Sequence, residues 1–173
     1  NSGINITKIE VWITNKTGTT NDTRNIIAFL DLGETTNNIY NNDFIFSNGG
    51  LFPDNNAGND LFNSLTTTYS GIRNINEVNS VLDNNLISNG IDFEKLERAR
   101  KLSASEYSFN NQLGYISLNQ ALNNDEVLAV AFQYTIGSET YQVGELSTTG
   151  PTAPDALILK LLKGTNFSPS LPN

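Results

Sequence analysis

The chain has 173 residues, no Cys, no His and a formal charge of −8 from 10 basic and 18 acidic side chains. This composition excludes disulfides, thiolate chemistry and the commonest zinc ligand, and the scattered basic residues argue against a nucleic-acid partner. The length suggests one domain. Asn fills 27 positions, which predicts long polar turns around a modest core, and the absence of Met suggests that 1–173 is excised from a longer chain.

Two strands are predicted in the first part of the chain. Over residues 5–14, apolar Ile9, Val11 and Ile13 alternate with Glu10, Trp12 and Thr14. Trp12 lies on the polar phase of this strand, which would expose it, but a core or second-layer contact is its expected role, because aromatic side chains mostly supply buried area. Residues 23–34 contain the contiguous apolar run IIAFL, which is typical of a more buried strand. A long loop is expected next, because the following residues up to about position 60 are rich in Asn and Gly.

A change of period then predicts helices. Apolar side chains spaced three or four apart predict a helix over 74–87. Asp92 is a candidate cap for a second helix, in which Phe93, Leu96 and Ala99 would share a face. After a capping-box sequence, SASE, the pattern returns to period two at GYISL and later at ALILKLLK. The predicted fold is therefore α+β, with an antiparallel sheet or sandwich made from both ends of the chain and a helical insert at about 54–107.

The stretch DEVLAVAFQYTIGSETYQVGEL, residues 125–146, predicts a β-hairpin around Gly137-Ser138. Such a two-residue loop fixes the register. It pairs Ile136 with Glu139, Tyr134 with Tyr141 and Phe132 with Val143, and it puts Glu145 opposite Val130.

The hairpin has one large and one small face. The large face is expected in a core and consists of Leu128, Val130, Phe132, Tyr134, Tyr141 and Val143. The small face would let a second layer approach closely and consists of Ala129, Ala131, Gln133, Thr140, Gln142 and Gly144. Phe132→Ala is expected to cost about 3–5 kcal/mol, and Trp at Ala129 or Ala131 should overpack the small face.

One polar loop resembles a calcium loop in part. DNNAGND places Asp54, Asn56, Gly58 and Asp60 at alternate positions, as oxygen ligands are spaced in such loops. The glycine falls one place early, and Leu65 stands where a bidentate Glu would be needed. Calcium binding at 54–60 is therefore left open, and no metal ligand is assigned.

Carboxylates and aromatic residues are the other candidates for chemistry. A glycosidase would need two paired carboxylates. The available ones, none within a motif, are Glu94, Glu97, Glu106, Asp125, Glu126, Glu139 and Glu145. A carbohydrate-binding module would need exposed aromatic rings. The candidates are Trp12, Tyr40, Tyr69, Tyr107, Tyr115, Tyr134 and Tyr141.

Several long segments carry a family resemblance. LERARKLSASEYSFNNQLGYISLNQALNNDEVLAVAFQYTIGSETYQVGEL, residues 96–146, resembles the SprA/Sov family of Bacteroidetes, as do VWITN, TRNIIAFLDLGE and LILKLLKGTN. The similarity weakens over 35–90. Members of this family are large outer-membrane β-barrel proteins that form the translocon of type IX secretion and serve gliding motility.

The resemblance implies a non-enzymatic role. It implies a domain of the SprA N-terminal type, capping the barrel outside or facing the periplasm, without catalytic residues or cofactors. Its partners would be the rest of the parent barrel, secreted cargo and accessory subunits, and the isolated fragment should be monomeric. A carbohydrate-binding module of a cell-surface protein is the alternative, and a carboxylate hydrolase is a third hypothesis.

Overall fold

The computed structural model describes residues 3–35, 39–44, 53–69 and 71–167. The strands are β1 Ile4–Ile13, β2 Thr23–Phe29, β3 Phe93–Lys101, β4 Tyr107–Asn110, β5 Tyr115–Leu118, β6 Leu128–Ile136, β7 Glu139–Val143 and β8 Leu157–Lys163. The helices are α1 Leu61–Thr67 and α2 Val78–Asp83, and a 3-10 turn spans Asn42–Phe44. Parts of the predicted loop 35–60 lie outside the described residues.

Five strands close into a barrel in the order β1–β3–β2–β8–β6, because β6 also pairs with β1. Among the pairings of the eight described strands, only β2–β8 is parallel. β7 continues the sheet from the second half of β6, and β4 pairs with β5 as a separate hairpin. The prediction of a β-rich, mainly antiparallel fold with some helix is confirmed, and both ends of the chain supply strands. The predicted sandwich is wrong, because β3, from the middle of the chain, joins β1 to β2 and closes the sheet.

The barrel interior is filled from all five strands. The buried residues of this cluster include Trp12, Ile26, Ala28, Leu96, Ala99, Ala129, Ala131, Leu157, Leu159 and Leu161. The small face predicted for the hairpin thus lines the interior, where Ala129 and Ala131 leave room for the opposite wall. Trp12 is 1% exposed, so the expected core contact of this aromatic side chain is confirmed, although it lies on the polar phase of its strand. Both faces of β1 are covered, since Val11 and Ile13 pack outward with the β4–β5 hairpin.

The two helices cover the outer face of β2, β3 and β8. Leu61 and Leu65 of α1 and Val78 and Leu82 of α2 belong to one buried cluster with Phe93 of β3. Of the helix predicted over 74–87, only Val78–Asp83 is helical. It ends in a turn at which Leu86 takes a φ of 62° and is 79% exposed. Two Asn residues in this turn favour local hydrogen bonds over continued helix.

The predicted second helix, beginning at Asp92, is strand β3. Phe93 faces the helices and Leu96 faces the barrel interior, as alternation requires. Ala99 also faces the interior, because the pairing with β2 shifts register and Arg98 takes a φ of 52°. Such a bulge adds one residue and changes the phase of the strand. The three-residue spacing of Phe93, Leu96 and Ala99 therefore imitates a helical pattern.

The predicted hairpin pairs Ile136–Glu139, Tyr134–Tyr141 and Phe132–Val143 are confirmed. The predicted pairing of Glu145 with Val130, however, is wrong. Val130 pairs with Lys160 of β8. The chain turns away at Gly144, whose φ is 73° and where a Cβ would lie 3.2 Å from that of Ala131. Glu145 N then donates to Ile158 O at 2.9 Å, which carries the carboxylate to the outside of β8.

The many Asn side chains replace backbone pairing in the loops. Asn56 Nδ2 donates to Gly144 O at 3.1 Å and Asn56 Oδ1 accepts from Gly144 N at 2.7 Å, so the side chain acts as one more residue beside β7. The buried Asn59 donates to the carbonyls of Asp31 and Glu34 and accepts from Leu61 N. Asn has the donors and acceptor that buried backbone groups require.

We expect Ala131→Trp to lower the free energy of unfolding by about 1–3 kcal/mol, because the barrel has no space for the ring. Ala131 is completely buried among the interior side chains. Phe132 is only partly buried, so we now expect less than the full cost of a core Phe truncation, about 2 kcal/mol, for Phe132→Ala. Urea denaturation measures both, with exposed Ala121→Trp as the control. Unchanged stability of Ala131→Trp would show that the barrel is open.

Candidate functional site

The carboxylates singled out in the sequence mostly hold loops in place. Glu94 Oε1 accepts from Thr165 N at 2.6 Å, and Glu126 Oε2 accepts from Asn123 N at 2.7 Å. Glu145 Oε2 accepts from Ile158 N at 2.9 Å and also binds Arg73. Each is buried and satisfied by hydrogen bonds, as buried carboxylates must be. The other candidates lie at the surface: Glu97 pairs with Lys95, Asp125 pairs with Lys16, and Glu139 is exposed.

Glu106 and Glu126 do line one cleft, of about 210 Å³. Glu106 accepts from Ser103 N, and Arg100 Nη1 donates to both of its carboxylate oxygens, at 2.8 Å and 2.9 Å. The Ser103 amide first, and then Arg100, hold the pKa of Glu106 below its usual value. A glycosidase acid needs the opposite shift. This arrangement therefore favours a structural role, and the contact to Ser103 is the one that the SASE capping box predicts.

The partial calcium loop is built as a hydrogen-bonded turn. Asn56 pairs with Gly144, and Asn55 Oδ1 accepts from Ala57 N at 2.7 Å. Gly58 packs so closely that a Cβ there would lie 2.7 Å from Gly33 O. Among the described residues, no three acidic side chains lie together where they could hold a metal ion. Of the side-chain oxygens that the alternate spacing suggested, Asn56 Oδ1 is thus occupied by Gly144 N, whereas Asp54 Oδ1 has no hydrogen-bond partner among the described residues.

Trp12 offers no ring face for stacking on a sugar, since it is buried and its Nε1 donates to Glu10 at 3.3 Å. Glu10 also accepts from Ser147 N and from Lys101, both at 2.9 Å. Burial alone would raise the pKa of Glu10, but the bonds from Lys101 and Ser147 outweigh it and lower the pKa. Glu10 closes one side of the barrel core. A single Glu in the sequence of a strand gives no sign of such a role.

An apolar groove of about 290 Å³ lies between the barrel and the β4–β5 hairpin. It is lined by Ile4, Ile6, Ile9, Asp54, Phe109, Gly114, Tyr115, Ile116, Val130, Phe132, Tyr134 and Leu162. Phe109 is 39% exposed, Leu162 47% and Tyr115 55%. Three large apolar side chains therefore remain in contact with water around one depression, as at protein interaction sites.

The large face of the β6–β7 hairpin forms one wall of this groove. Phe132, Tyr134 and Tyr141 stack in a row, with ring centroids 6.0 Å and 5.5 Å apart. The Tyr134 hydroxyl donates to the carbonyl oxygen of Asp54, which ties the 53–60 loop to the barrel. Burial and then the nearby Asp54 charge raise the pKa of Tyr134 to about 12. Tyr134 is therefore a neutral hydrogen-bond donor in this wall at neutral pH.

A second feature that the sequence did not reveal is a buried group of charges at the end of β2. Glu34 pairs with Lys160, whose ammonium also donates to Leu30 O. Glu34 Oε2 is buried without a hydrogen-bond partner in the described part of the chain. Burial raises the pKa of Glu34 to about 7, although Lys160 acts to lower it, and the charge of Asp31 adds to the increase. Burial likewise raises the pKa of Asp31, against its bonds from Tyr40 N and Asn41 N.

The raised pKa of Glu34 predicts a pH dependence of stability. The folded state keeps the proton up to about pH 7, whereas the unfolded chain releases it near 4.5, so stability falls as the pH rises through this window. We expect wild type to lose on the order of 2 kcal/mol relative to Glu34→Gln across it. Urea denaturation at a series of pH values measures this, with exposed Glu139→Gln as the control. A constant difference between wild type and Glu34→Gln would contradict the assignment.

Comparison with protein-family models and with curated proteins gave no match. Among the described residues, every helix is too short or too polar to cross a bilayer.

Proposed function

We propose that this chain is a non-catalytic structural and interaction domain of an outer-membrane protein translocon of the SprA/Sov type, which serves type IX secretion and gliding motility. The resemblance of residues 96–146 and of both ends of the chain supports the assignment to that family. In this proposal the domain belongs to a much larger β-barrel protein and lies on its extracellular or periplasmic side.

The groove between the barrel and the β4–β5 hairpin is the observation that carries the interaction role. The apolar side chains of Phe109, Tyr115 and Leu162 remain exposed around it, whereas the buried carboxylates of Glu94 and Glu145 accept hydrogen bonds from main-chain donors. A surface of this kind suits contact with a partner. The partners are the rest of the parent barrel, secreted cargo or accessory subunits. Outside the groove, the Asn- and Thr-rich surface of the domain is polar, and cargo can slide past it.

The experiment is deletion of this domain from the parent protein in the native bacterium. We expect impaired export of secreted proteins, or a leaky outer membrane where the domain plugs the lumen. Quantification of the parent protein in the outer membrane separates lost function from lost assembly. Normal export and normal permeability, at an unchanged amount of the shortened parent, would contradict the proposed function.

A further inference from the structure

The groove combines an apolar wall with a single charged residue. Of the residues that line it, only Asp54 carries a charge. Asp54 Oδ1 is buried and has no hydrogen-bond partner among the described residues. A carboxylate that is partly desolvated and lacks a donor is costly, and a cation brought by a ligand would offset that cost.

We propose that this groove docks an extended segment of a partner protein, whose apolar side chains fill the groove and whose single Lys or Arg side chain pairs with Asp54. The inference rests on the proposed function, because it names the kind of partner that the interaction domain contacts. Charge complementarity selects this occupant over an acidic segment, since the domain itself carries a formal charge of −8.

The neighbouring strand favours an extended segment. β1 pairs with β6 along its length, but it pairs with β3 only at Trp12 and Ile13. Over the first part of β1, no described strand therefore lies on the side away from β6, although Ile6 N does donate to Asn111 O. An extended segment can place alternate side chains in the groove and direct its main chain toward such an edge.

The test uses a fluorescent peptide of about ten residues that alternates Leu with Ser and carries a central Lys, and a matched peptide with Glu in place of Lys. Binding to the 173-residue chain is measured by fluorescence anisotropy. We expect saturable binding of the Lys peptide and at least about tenfold weaker binding of the Glu peptide. Equal affinity for both peptides, or binding of neither, would overturn the proposal.

Matched variants assign the binding to the groove. Asp54→Asn should weaken the Lys peptide about tenfold, whereas Asp83→Asn, at an exposed position on α2, should leave it unchanged. Tyr115→Ser should also weaken binding, whereas Leu113→Ser should not, because Leu113 is 74% exposed on the same hairpin but does not line the groove. Circular dichroism checks that each variant is folded. Equal loss in a groove variant and its control would place the binding elsewhere and overturn the proposal.

The two proposals fail in different experiments. If no peptide binds but deletion of the domain still blocks export, the docking site is refuted and the proposed function is retained. If the Lys peptide binds at the groove but the deletion is without effect, the docking chemistry is retained and the translocon role is refuted.

Discussion

Trp12→Ala should be the most destabilising single substitution at this domain's core, lowering the free energy of unfolding by about 3–5 kcal/mol. Trp12 is 1% exposed and belongs to the cluster that fills the five-stranded barrel. Its neighbours include Ala129 and Ala131, which are too small to close the cavity that its removal would leave. A loss of this size is a large part of the roughly 5–15 kcal/mol that holds a domain together.

Urea denaturation followed by circular dichroism measures this effect. Trp12→Phe is the matched control, since it keeps an aromatic ring in the barrel and loses only part of the volume and the Nε1 bond to Glu10. We expect it to cost less than half as much as Trp12→Ala. A denaturation midpoint for Trp12→Ala close to that of wild type would show that the barrel interior is not the core of the fold.

Glu145→Ala should lower the free energy of unfolding by about 3 kcal/mol, because it leaves the partly buried guanidinium of Arg73 without its carboxylate partner. Arg73 Nη1 and Nη2 donate to the two carboxylate oxygens of Glu145 at 2.5 Å and 2.6 Å. The Glu145 side chain is 9% exposed and that of Arg73 26%, so solvent screens the pair only in part. The same carboxylate also accepts from Ile158 N, which would lose its side-chain acceptor.

Replacing both partners of the Arg73–Glu145 pair by Met tests the physical cause. Because the cost arises mainly from an unpaired charge, the double variant should recover a substantial part of the stability lost in Glu145→Ala. Exposed Glu139→Ala should be close to neutral. A double variant less stable than Glu145→Ala would show that the ion pair contributes directly and not through the penalty of breaking it.

The hairpin was predictable because its determinants are local. Gly137 takes a φ of 61°, as a primed two-residue turn requires, and this turn fixes the pairing of every residue up to Phe132 and Val143. Beyond Gly144 the chain follows β8 instead. The position of Glu145 depends on that distant strand, so the local pattern could not predict it.

The barrel was not predictable, because closure depends on pairing between distant segments. The sequence pattern predicts a helix at β3, because a bulge at Arg98 gives its apolar residues a three-residue spacing. Trp12 lies on the phase of β1 that alternation alone assigns to solvent, because alternation assumes one solvent face, whereas β1 is buried on both faces over Val11 to Ile13. A prediction from alternation assumes that one face of each strand is exposed, as in an open sheet. It therefore fails in a small closed barrel whose outer face is also covered.

The groove was equally hidden from sequence reasoning. Its lining comes from β1, the 53–60 loop, the β4–β5 hairpin, β6 and β8. The sequence pattern predicts apolar faces within single strands, such as that of Ile9 on β1 and that of Phe132 on β6, but not that these faces meet in one groove. Tyr134 is buried as predicted, whereas Phe132 is only partly buried, and both line the groove. Asp54 was noticed as a calcium candidate, but its place beside Tyr134 follows from a long-range hydrogen bond.

The proposal that the domain acts by contact, without proton transfer, is tested by measuring export with a parent protein that carries Glu34→Gln. Glu34 is the carboxylate whose pKa of about 7 best suits proton transfer at neutral pH. The assay compares secretion by wild type, Glu34→Gln and the groove variant Tyr115→Ser at matched amounts of folded parent in the outer membrane. We expect wild-type export with Glu34→Gln and reduced export with Tyr115→Ser. Abolished export with folded Glu34→Gln would contradict it and would require a proton-coupled role.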